Sequence, residues 1–329
     1  MIIRERKIPL SILKLQALLR RLPPAHPKIP FIMSELSKKE AGYRGECAID
    51  FPLSFLETKE YFIFHDIRLQ DQTRFFQIDT LLLSRKFILV IEVKNIAGSL
   101  YFDSTFNQLI RTKDGKEMGF PDPLIQIERH ESQLKSWLMK HGLTEPPIYS
   151  LVVISNPQTI IRTNPENRNL HYKVIHRDTL PFKIHQIEKS INQPSLSDKE
   201  LKKIIKIINK HHIEADASVL ERFNLSMEDL IRGVICEKCL MSPLLKQRRE
   251  WKCSRCEHES KDGHIRALKD YYFLLGPTIT NRQLREFLRI SSSASATRIL
   301  RSMNLVSEGM NKGKVYRLPF EYEKEADSN

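Results

Sequence analysis

Two carboxylates and a lysine lie at the ends of two short apolar runs, where their spacing could support metal-assisted phosphoryl chemistry. Asp79 lies in the run 76–83, and Glu92 and Lys94 close the run 87–94. Charged groups at such positions are costly unless a metal ion or an anionic substrate joins them. Asp79 and Glu92 are therefore candidate oxygen ligands for Mg²⁺ or Mn²⁺. Lys94 is a candidate for orienting or deprotonating a metal-bound water and for offsetting phosphate charge.

The two runs are predicted to form an antiparallel hairpin. Both are short and rich in β-branched and aromatic residues, which favours buried strands, and only three residues separate them. A turn centred on residues 85–86 would place Asp79 opposite Glu92. Gln77 would then lie opposite Lys94, and all four side chains would share one face. The turn lacks the glycine that two-residue turns prefer, and a slip of one residue would separate the carboxylates.

Residues that flank the hairpin decide between chemistry and a salt-bridged hairpin end at the protein surface, which the bare pattern also fits. The flanking motifs occur in the order Gly45-Glu46, Gln77-Ile78-Asp79, Ile91-Glu92-Val93-Lys94-Asn95, Gly98 and Pro123-Leu124-Ile125-Gln126. Over roughly residues 41–155 this order resembles the nuclease-related domain (NERD) family, a branch of the PD-(D/E)xK nuclease superfamily.

The resemblance implies a fold, an activity and a set of site residues. The fold is a restriction-endonuclease-like mixed sheet flanked by helices, and the activity implied by the superfamily is hydrolysis of nucleic acid with a divalent metal ion. The implied catalytic set is Glu46, Asp79, Glu92 and Lys94, with Gln126 on a following helix. From the residues alone, Glu46 fits either an acidic ligand or a solvated helix residue.

The remaining pattern predicts a mixed α/β protein. Helices are predicted at 10–21, 34–56, 123–140 and 197–212, and strands at 61–69, 99–102, 148–154 and 172–175. Gln126, His130 and Gln133 follow a spacing of i, i+4 and i+7, so they share one helix face. That face could lie over the candidate site or could be an ordinary polar helix surface, and the sequence assigns His130 no role of its own.

The net charge of +13 and a pI near 9.5 indicate a polyanionic partner. The charge is uneven, since residues 233–318 carry 17 Lys and Arg against 8 Asp and Glu. Residues 1–40 carry 9 against 3, whereas residues 41–232 are nearly neutral. Salt-sensitive affinity for nucleic acid would therefore come mostly from the flanks. No apolar stretch approaches the roughly 18 residues of a membrane span, and no convincing secretory signal is found, so we expect a cytoplasmic protein.

Four of the five cysteines form two CxxC pairs, which predict a structural zinc site. The ligands would be Cys236, Cys239, Cys253 and Cys256, with thirteen residues between the pairs. Four protein ligands close the coordination shell, so this metal would serve folding and not catalysis. The module resembles a zinc ribbon whose arm presents Arg248 and Arg249, although the glycine that often follows such pairs is absent. Cys47 is interpreted as a small buried residue.

A helix-turn-helix is predicted behind the zinc module. Thr280 and Gln283 form a capping-box pattern, and a second helix is expected from Ser293 to Met303. With two short strands after it, the segment resembles a winged helix-turn-helix domain. The candidate nucleic-acid contacts are Ser292, Ser295, Arg298 and Arg301 on or beside the second helix, with Lys312 and Lys314 on the wing. A winged-helix module that contacts protein is the alternative.

These observations predict six segments: a basic helical segment (1–40), a nuclease-like domain (41–190), a helical linker (191–232), the zinc module (233–260), a winged-helix-like domain (261–320) and an acidic tail (321–329). The preferred hypothesis is a metal-dependent DNA endonuclease. The alternatives are a non-catalytic DNA-binding protein on a nuclease-like scaffold and an RNA-directed nuclease. The sequence leaves the oligomeric state open, a homodimer included.

Overall fold

The protein forms two compact units, which we describe from a computed structural model. The structure describes residues 1–57, 59–72, 74–247 and 250–320, apart from the side chain of residue 312. The first unit comprises Met1–Arg6 and Glu40–Ala215, and the second comprises Lys7–Lys39 and the chain from Asp216 onward. The finer division into six segments stays a prediction. Among the described residues, no helix combines the length and apolar character needed to cross a membrane.

Helices and strands are numbered in chain order. The helices are α1 (Leu10–Arg21), α2 (Ile29–Cys47), α3 (Asp50–Leu53), α4 (Pro123–Lys140), α5 (Leu170–Lys173), α6 (Leu180–Lys189), α7 (Asp198–His211), α8 (Val219–Arg222), α9 (Gly263–Leu275), α10 (Asn281–Leu288) and α11 (Ser293–Ser302). The strands are β1 (Ile2–Arg4), β2 (Phe62–Asp71), β3 (Arg74–Leu83), β4 (Ile88–Lys94), β5 (Ser99–Asp103), β6 (Gln108–Lys113), β7 (Lys116–Pro121), β8 (Ile148–Ile154), β9 (Ile160–Thr163), β10 (Val174–His176), β11 (Leu245–Gln247), β12 (Glu250–Lys252), β13 (Glu259–Ser260), β14 (Thr278–Thr280), β15 (Ser307–Glu308) and β16 (Val315–Arg317).

A mixed sheet with the order β1-β2-β3-β4-β8-β10 forms the centre of the first unit. Strands β2, β3 and β4 are antiparallel, whereas β1, β8 and β10 join their neighbours in parallel. A smaller sheet has the order β7-β6-β5-β9. The predicted mixed sheet is confirmed.

Helices cover both faces of the main sheet, because alternate side chains of its strands are apolar in both directions. On one face, Val90 belongs to a core with Trp137 of α4 and Ile204 of α7. On the other face, Leu89 belongs to a core with Leu53 of α3 and Ile184 of α6. The central strands are thus buried on both sides, and their ends are the positions left for polar groups.

Most predicted elements of this unit match the structure, and two predictions were wrong. Helix α4 and strand β8 have the predicted bounds. The helix predicted over 34–56 begins at Ile29 and ends at Cys47, since its last turn tightens and α3 starts separately at Asp50. The strand predicted over 172–175 begins only at Val174, because α5 occupies the preceding four residues.

The second unit combines α1 with the C-terminal helices and two small antiparallel sheets. Buried residues of α1, α8 and α9 form one core, which includes Leu18, Leu220 and Phe273. The sheets have the orders β11-β12-β13 and β14-β16-β15. Helix α10 begins with the predicted capping box, in which Thr280 and Gln283 bind each other reciprocally. The mixed α/β class with small C-terminal sheets is therefore confirmed.

Gly45 allows α2 to approach the end of β4 closely. A Cβ atom at this position would collide with Asn95 and would lie 2.9 Å from Oγ of Ser155. Gly42, one turn earlier on the same helix, has no atom within 4 Å of such a Cβ. Of these two glycines, Gly45 therefore sets the distance between α2 and the sheet, whereas Gly42 does not.

We predict opposite effects of alanine at the two glycines. Gly45→Ala should destabilise the protein by about 1–3 kcal/mol, because the overlap must be relieved by moving the helix. Gly42→Ala, the matched control, should stabilise it by about 0.5–1 kcal/mol through its helix propensity. Urea unfolding at neutral pH measures both changes. Equal effects of the two substitutions would contradict the close approach.

Candidate active site

The hairpin between β3 and β4 has the predicted turn and register. Ser84 donates its backbone N–H to the carbonyl of Phe87, so residues 85 and 86 form the turn. The Ser84 hydroxyl accepts the N–H groups of Lys86 and Phe87 at 3.2 and 3.1 Å. This side-chain bonding stabilises a turn without glycine. Thr80 pairs with Ile91, which is the register that was predicted, but the ladder ends at this pair. The predicted pairs Asp79–Glu92 and Gln77–Lys94 therefore do not form, and the amide of Gln77 donates to Asp66 of β2 instead.

Asp79 lies where the pairing of β3 with β4 ends. The last pair of the ladder is Thr80 with Ile91, and the carboxylate of Asp79 accepts the backbone N–H of Val93 at 2.8 Å. On its other side β3 pairs with β2, where Asp66 has a positive φ of 54° opposite this position. The carboxylate of Asp79 thus accepts a backbone N–H of β4 at the residue that follows Glu92.

Glu92, Lys94 and Gln126 form a triangle of hydrogen bonds. Oε1 of Glu92 accepts Nζ of Lys94 at 2.7 Å and Nε2 of Gln126 at 2.7 Å. The third side joins Lys94 Nζ to Oε1 of Gln126 at 3.0 Å. Glu92 is buried, whereas Lys94 and Gln126 are half-buried. The first turn of α4 therefore meets the end of β4, and the lysine offsets the charge of a buried carboxylate.

The acidic groups of the site repel one another strongly. Burial, followed by the charges of Glu92 and Glu46, raises the pKa of Asp79 well above its ordinary value. Burial also raises the pKa of Glu46 to about 7, with Asp66 and Glu92 adding to the effect and Arg6 opposing it. Protons or a cation must therefore neutralise part of this charge near pH 7.

Arg6 forms an ion pair with Glu46, which the sequence analysis did not predict. Its guanidinium is buried and donates to Glu46 at 3.0 Å, to Asp50 at 3.1 Å and to Thr80 at 3.0 Å. It also donates to Nδ1 of His65, whose pKa is lowered to about 3 by burial and by Arg6, so the imidazole is neutral. Arg6 lies 40 residues before Glu46 in the chain, and no local pattern indicates this pairing.

A cleft of about 460 Å³ lies beside Asp79, and β3 and α4 form its walls. Its lining residues are Arg74, Phe75, Phe76, Gln77, Asp79, Gln126, Arg129, His130 and Gln133. The polar face of α4 noted in the sequence thus lies along this cleft. Nδ1 of His130 is 3.8 Å from Glu92 and lacks a hydrogen-bond partner among the described residues.

Asp79 and Glu92 suit Mg²⁺, although they do not form a closed cage. Among the described residues, the four cysteines are the one group of three or more His, Cys, Asp or Glu side chains that can reach a single ion. Mg²⁺ commonly uses one or two carboxylates and completes its shell with water and substrate phosphate. An acidic pair whose charge is poorly offset fits such an open site.

The sulfur atoms of Cys236, Cys239, Cys253 and Cys256 lie within 4.8 Å of one another. Thiolate is the ligand form of cysteine, so the cluster could hold a zinc ion. Cys47, which was expected to be buried, belongs to the first unit and is half-buried.

The predicted nucleic-acid contacts occupy α11 and its surroundings. Ser292 is the N-cap of α11 and accepts the backbone N–H of Ser295, and Arg298 and Arg301 are exposed on the helix. Lys314 is half-buried and its Nζ lies 5.4 Å from the ring centroid of Tyr316. Arg248, Arg249 and the side chain of Lys312 lie outside the described residues.

Comparison with known proteins matches part of the first unit to a known domain family. The family model of the nuclease-related domain (NERD) matches residues 41–155, which include Glu46, Asp79, Glu92, Lys94 and Gln126. The chain thus contains a nuclease-related domain, and the match supports a nuclease-like function on nucleic acids. No curated protein and no solved structure matched the chain. Of the two charged residues that form ion pairs beside the site, Arg6 precedes the matched residues and Asp50 lies within them.

Glu46 should make stability depend on pH. Because its folded pKa is raised from 4.5 to about 7, protonated Glu46 favours folding, and this stabilisation is lost as pH rises through 7. Between pH 5 and 8 the wild type should lose about 2–3 kcal/mol of its free energy of unfolding through Glu46, and Glu46→Gln should not show this loss. Urea unfolding across this range, without added divalent metal, measures the effect. Glu128→Gln, on the exposed side of α4, is the control, and an equal change in both variants would refute the assignment.

Proposed function

We propose that this protein is a divalent-metal-dependent nuclease that hydrolyses phosphodiester bonds in DNA. The triangle of Glu92, Lys94 and Gln126 carries the proposal, because it places a lysine and an amide beside the acidic pair of a nuclease-related domain. A structural ion pair needs only two of these groups. The amide adds a second donor and acceptor that can orient a water or a phosphate.

Each residue of the site has a distinct role in the proposal. Asp79 and Glu92 would hold Mg²⁺ or Mn²⁺, which would polarise the phosphoryl group and acidify a bound water. Lys94 would either orient the attacking water and offset phosphate charge as a cation, or deprotonate that water as a neutral amine. Gln126 positions the water or the phosphate. Glu46 assists in its ionised form and is held in place by Arg6.

The basic second unit would deliver the DNA. Helix α10, the turn at Ser292 and α11, with the three strands β14, β16 and β15, fit a winged helix-turn-helix. Burial lowers the pKa of Lys246 in β11, and the charge of Arg298 on α11 contributes, so these two cations are close. Together they extend the basic surface of α11 onto the cysteine module. Phosphate contacts there would be largely independent of sequence.

A structural Zn²⁺ at the four cysteines would stabilise the small sheet β11-β12-β13. The site has four protein ligands, so it leaves no position open for a substrate. Trp251 of β12 and Leu244 are buried in the same core as Cys236 and Cys253. Metal binding and packing would therefore cooperate in folding this module.

The nuclease proposal predicts metal-dependent cleavage that two substitutions abolish. The full chain is incubated with supercoiled, linear and single-stranded DNA, and separately with RNA, in Mg²⁺ or Mn²⁺. Asp79→Ala and Lys94→Ala should each lower the cleavage rate by about 100-fold or more, since they remove a metal ligand and the charge that serves the water. DNA binding by the second unit should persist in both variants.

Lys140→Ala is the matched control, because Lys140 is an exposed lysine at the far end of α4. It should cleave at the wild-type rate. Retention of DNA without cleavage under any metal condition would favour a non-catalytic scaffold and refute the nuclease. Cleavage of RNA alone would mean that the substrate is RNA and not DNA.

The zinc proposal predicts one tightly bound zinc ion per chain. Cys239→Ser should lose it, because three thiolates hold zinc less well than four, whereas Cys47→Ser should retain it. Elemental analysis of purified protein, with all cysteines shown to be reduced, measures the stoichiometry. A chain with reduced cysteines and no stoichiometric zinc would disprove the site.

A further inference from the structure

An exposed aromatic ring lies in the cleft beside the candidate catalytic residues. Phe75 is 42% exposed and lines the same cleft as Asp79 and Gln126. The guanidinium of Arg68 lies 3.7 Å from the centroid of its ring. The cation holds the ring in position by a cation–π contact. An aromatic ring that is fixed yet accessible is suited to stack with another flat group.

The distance between the ring and the carboxylates fits a nucleotide chain. Phe75 precedes Asp79 by four residues on β3, and this corresponds to about 13 Å along a strand. That length is comparable with a dinucleotide. A phosphate at Asp79 would therefore place a base one or two nucleotides away at the ring.

The cleft offers further groups that match a nucleotide. Arg74 and Arg129 line it and can contact phosphates. Oε1 of Gln133 and Nδ1 of His130 are buried beside it without a hydrogen-bond partner among the described residues. Buried polar atoms are nearly always bonded in native proteins, so a partner in the cleft would be expected.

These features favour an unpaired base over a duplex. In a duplex both faces of each base are covered by stacking neighbours, and a base must leave the stack before a protein ring can cover it. A cleft of about 460 Å³ has the volume of a small-molecule site. Aromatic stacking combined with a cationic groove is how proteins bind single strands.

We propose that this cleft binds an unpaired nucleotide one or two positions from the scissile phosphate, with its base stacked on Phe75. The substrate class is therefore single-stranded nucleic acid, or the single-stranded part of a larger DNA. The inference rests on the proposed nuclease function for the position of the phosphate. Recognition of the base by the ring is independent of whether the bond is cut.

Photocrosslinking tests the stacking without relying on activity. Oligonucleotides with one 5-iododeoxyuridine are bound to the full chain in Ca²⁺ in place of Mg²⁺, irradiated, and the crosslinked peptide is identified by mass spectrometry. We expect a crosslink at Phe75 from the single strand and none from the duplex. Crosslinks at Phe75 that are equally strong with the duplex, or none there with either, would overturn the proposal.

Kinetics with matched variants tests the same contact during turnover. Phe75→Ala should reduce kcat/KM for a single-stranded substrate by roughly 5- to 150-fold, the range expected for loss of one stacked base. Phe75→Trp should retain the rate. Phe106→Ala, which removes another exposed phenylalanine of the same unit, should have no effect. Equal rates of Phe75→Ala and wild type would overturn the proposal.

The two experiments separate this inference from the proposed function. Absence of cleavage with every substrate would contradict the nuclease, and the crosslink would still decide where the base binds. Cleavage of duplex at the single-strand rate, with Phe75→Ala unaffected, would support the nuclease and contradict the unpaired-nucleotide site.

Discussion

Repulsion among one buried and two half-buried carboxylates governs the centre of the first unit. Asp79 feels the charges of both Glu92 and Glu46, and burial deprives all of them of water. Such an arrangement costs free energy unless opposite charge is close. Lys94 supplies that charge to Glu92, and Arg6 supplies it to Glu46. Asp79 accepts the backbone N–H of Val93 and feels the charge of Lys94, yet its pKa stays raised, so a demand for positive charge remains at Asp79.

The surrounding fold can be understood as the means of holding these charges together. The hairpin register brings Asp79 beside Glu92, and Gly45 lets α2 carry Glu46 close to the end of β4. The first turn of α4 adds Gln126. Apolar side chains packed on both faces of the sheet hold β3 and β4, which carry Asp79 and Glu92. Under the proposed function, this acidic site would receive a cation and the phosphate that accompanies it.

Local patterns in the sequence predicted much of this arrangement. The hairpin could be predicted because strand alternation and turn length fix a register, and α4 because its apolar period and its proline start are local signals. Arg6 could not be predicted, since it reaches Glu46 across 40 residues and its partners are irregularly spaced. The union of α1 with α8 and α9 was missed for the same reason. The break after Cys47 depends on how the chain packs, and helix periodicity alone does not mark it.

Two further features of the site could not be found from the sequence pattern. His130 was assigned no role, yet its Nδ1 has no hydrogen-bond partner in the described part of the chain and lies 3.8 Å from Glu92. Phe75 precedes the strand predicted over 76–83, and its exposure beside the cleft and its contact with Arg68 distinguish it. In both cases the informative property is a missing partner or uncovered surface, which requires a structure to observe.

The central claim is that Asp79 and Glu92 share one divalent cation, and a crystal structure grown with Mn²⁺ tests it most directly. Anomalous scattering locates Mn²⁺ without assumption about its ligands. The account predicts one peak in the site, about 2.0–2.3 Å from an oxygen of each carboxylate, with Lys94 turned away from Glu92. A site without a peak at saturating Mn²⁺, in which Lys94 still bridges Glu92 and Gln126, would contradict it.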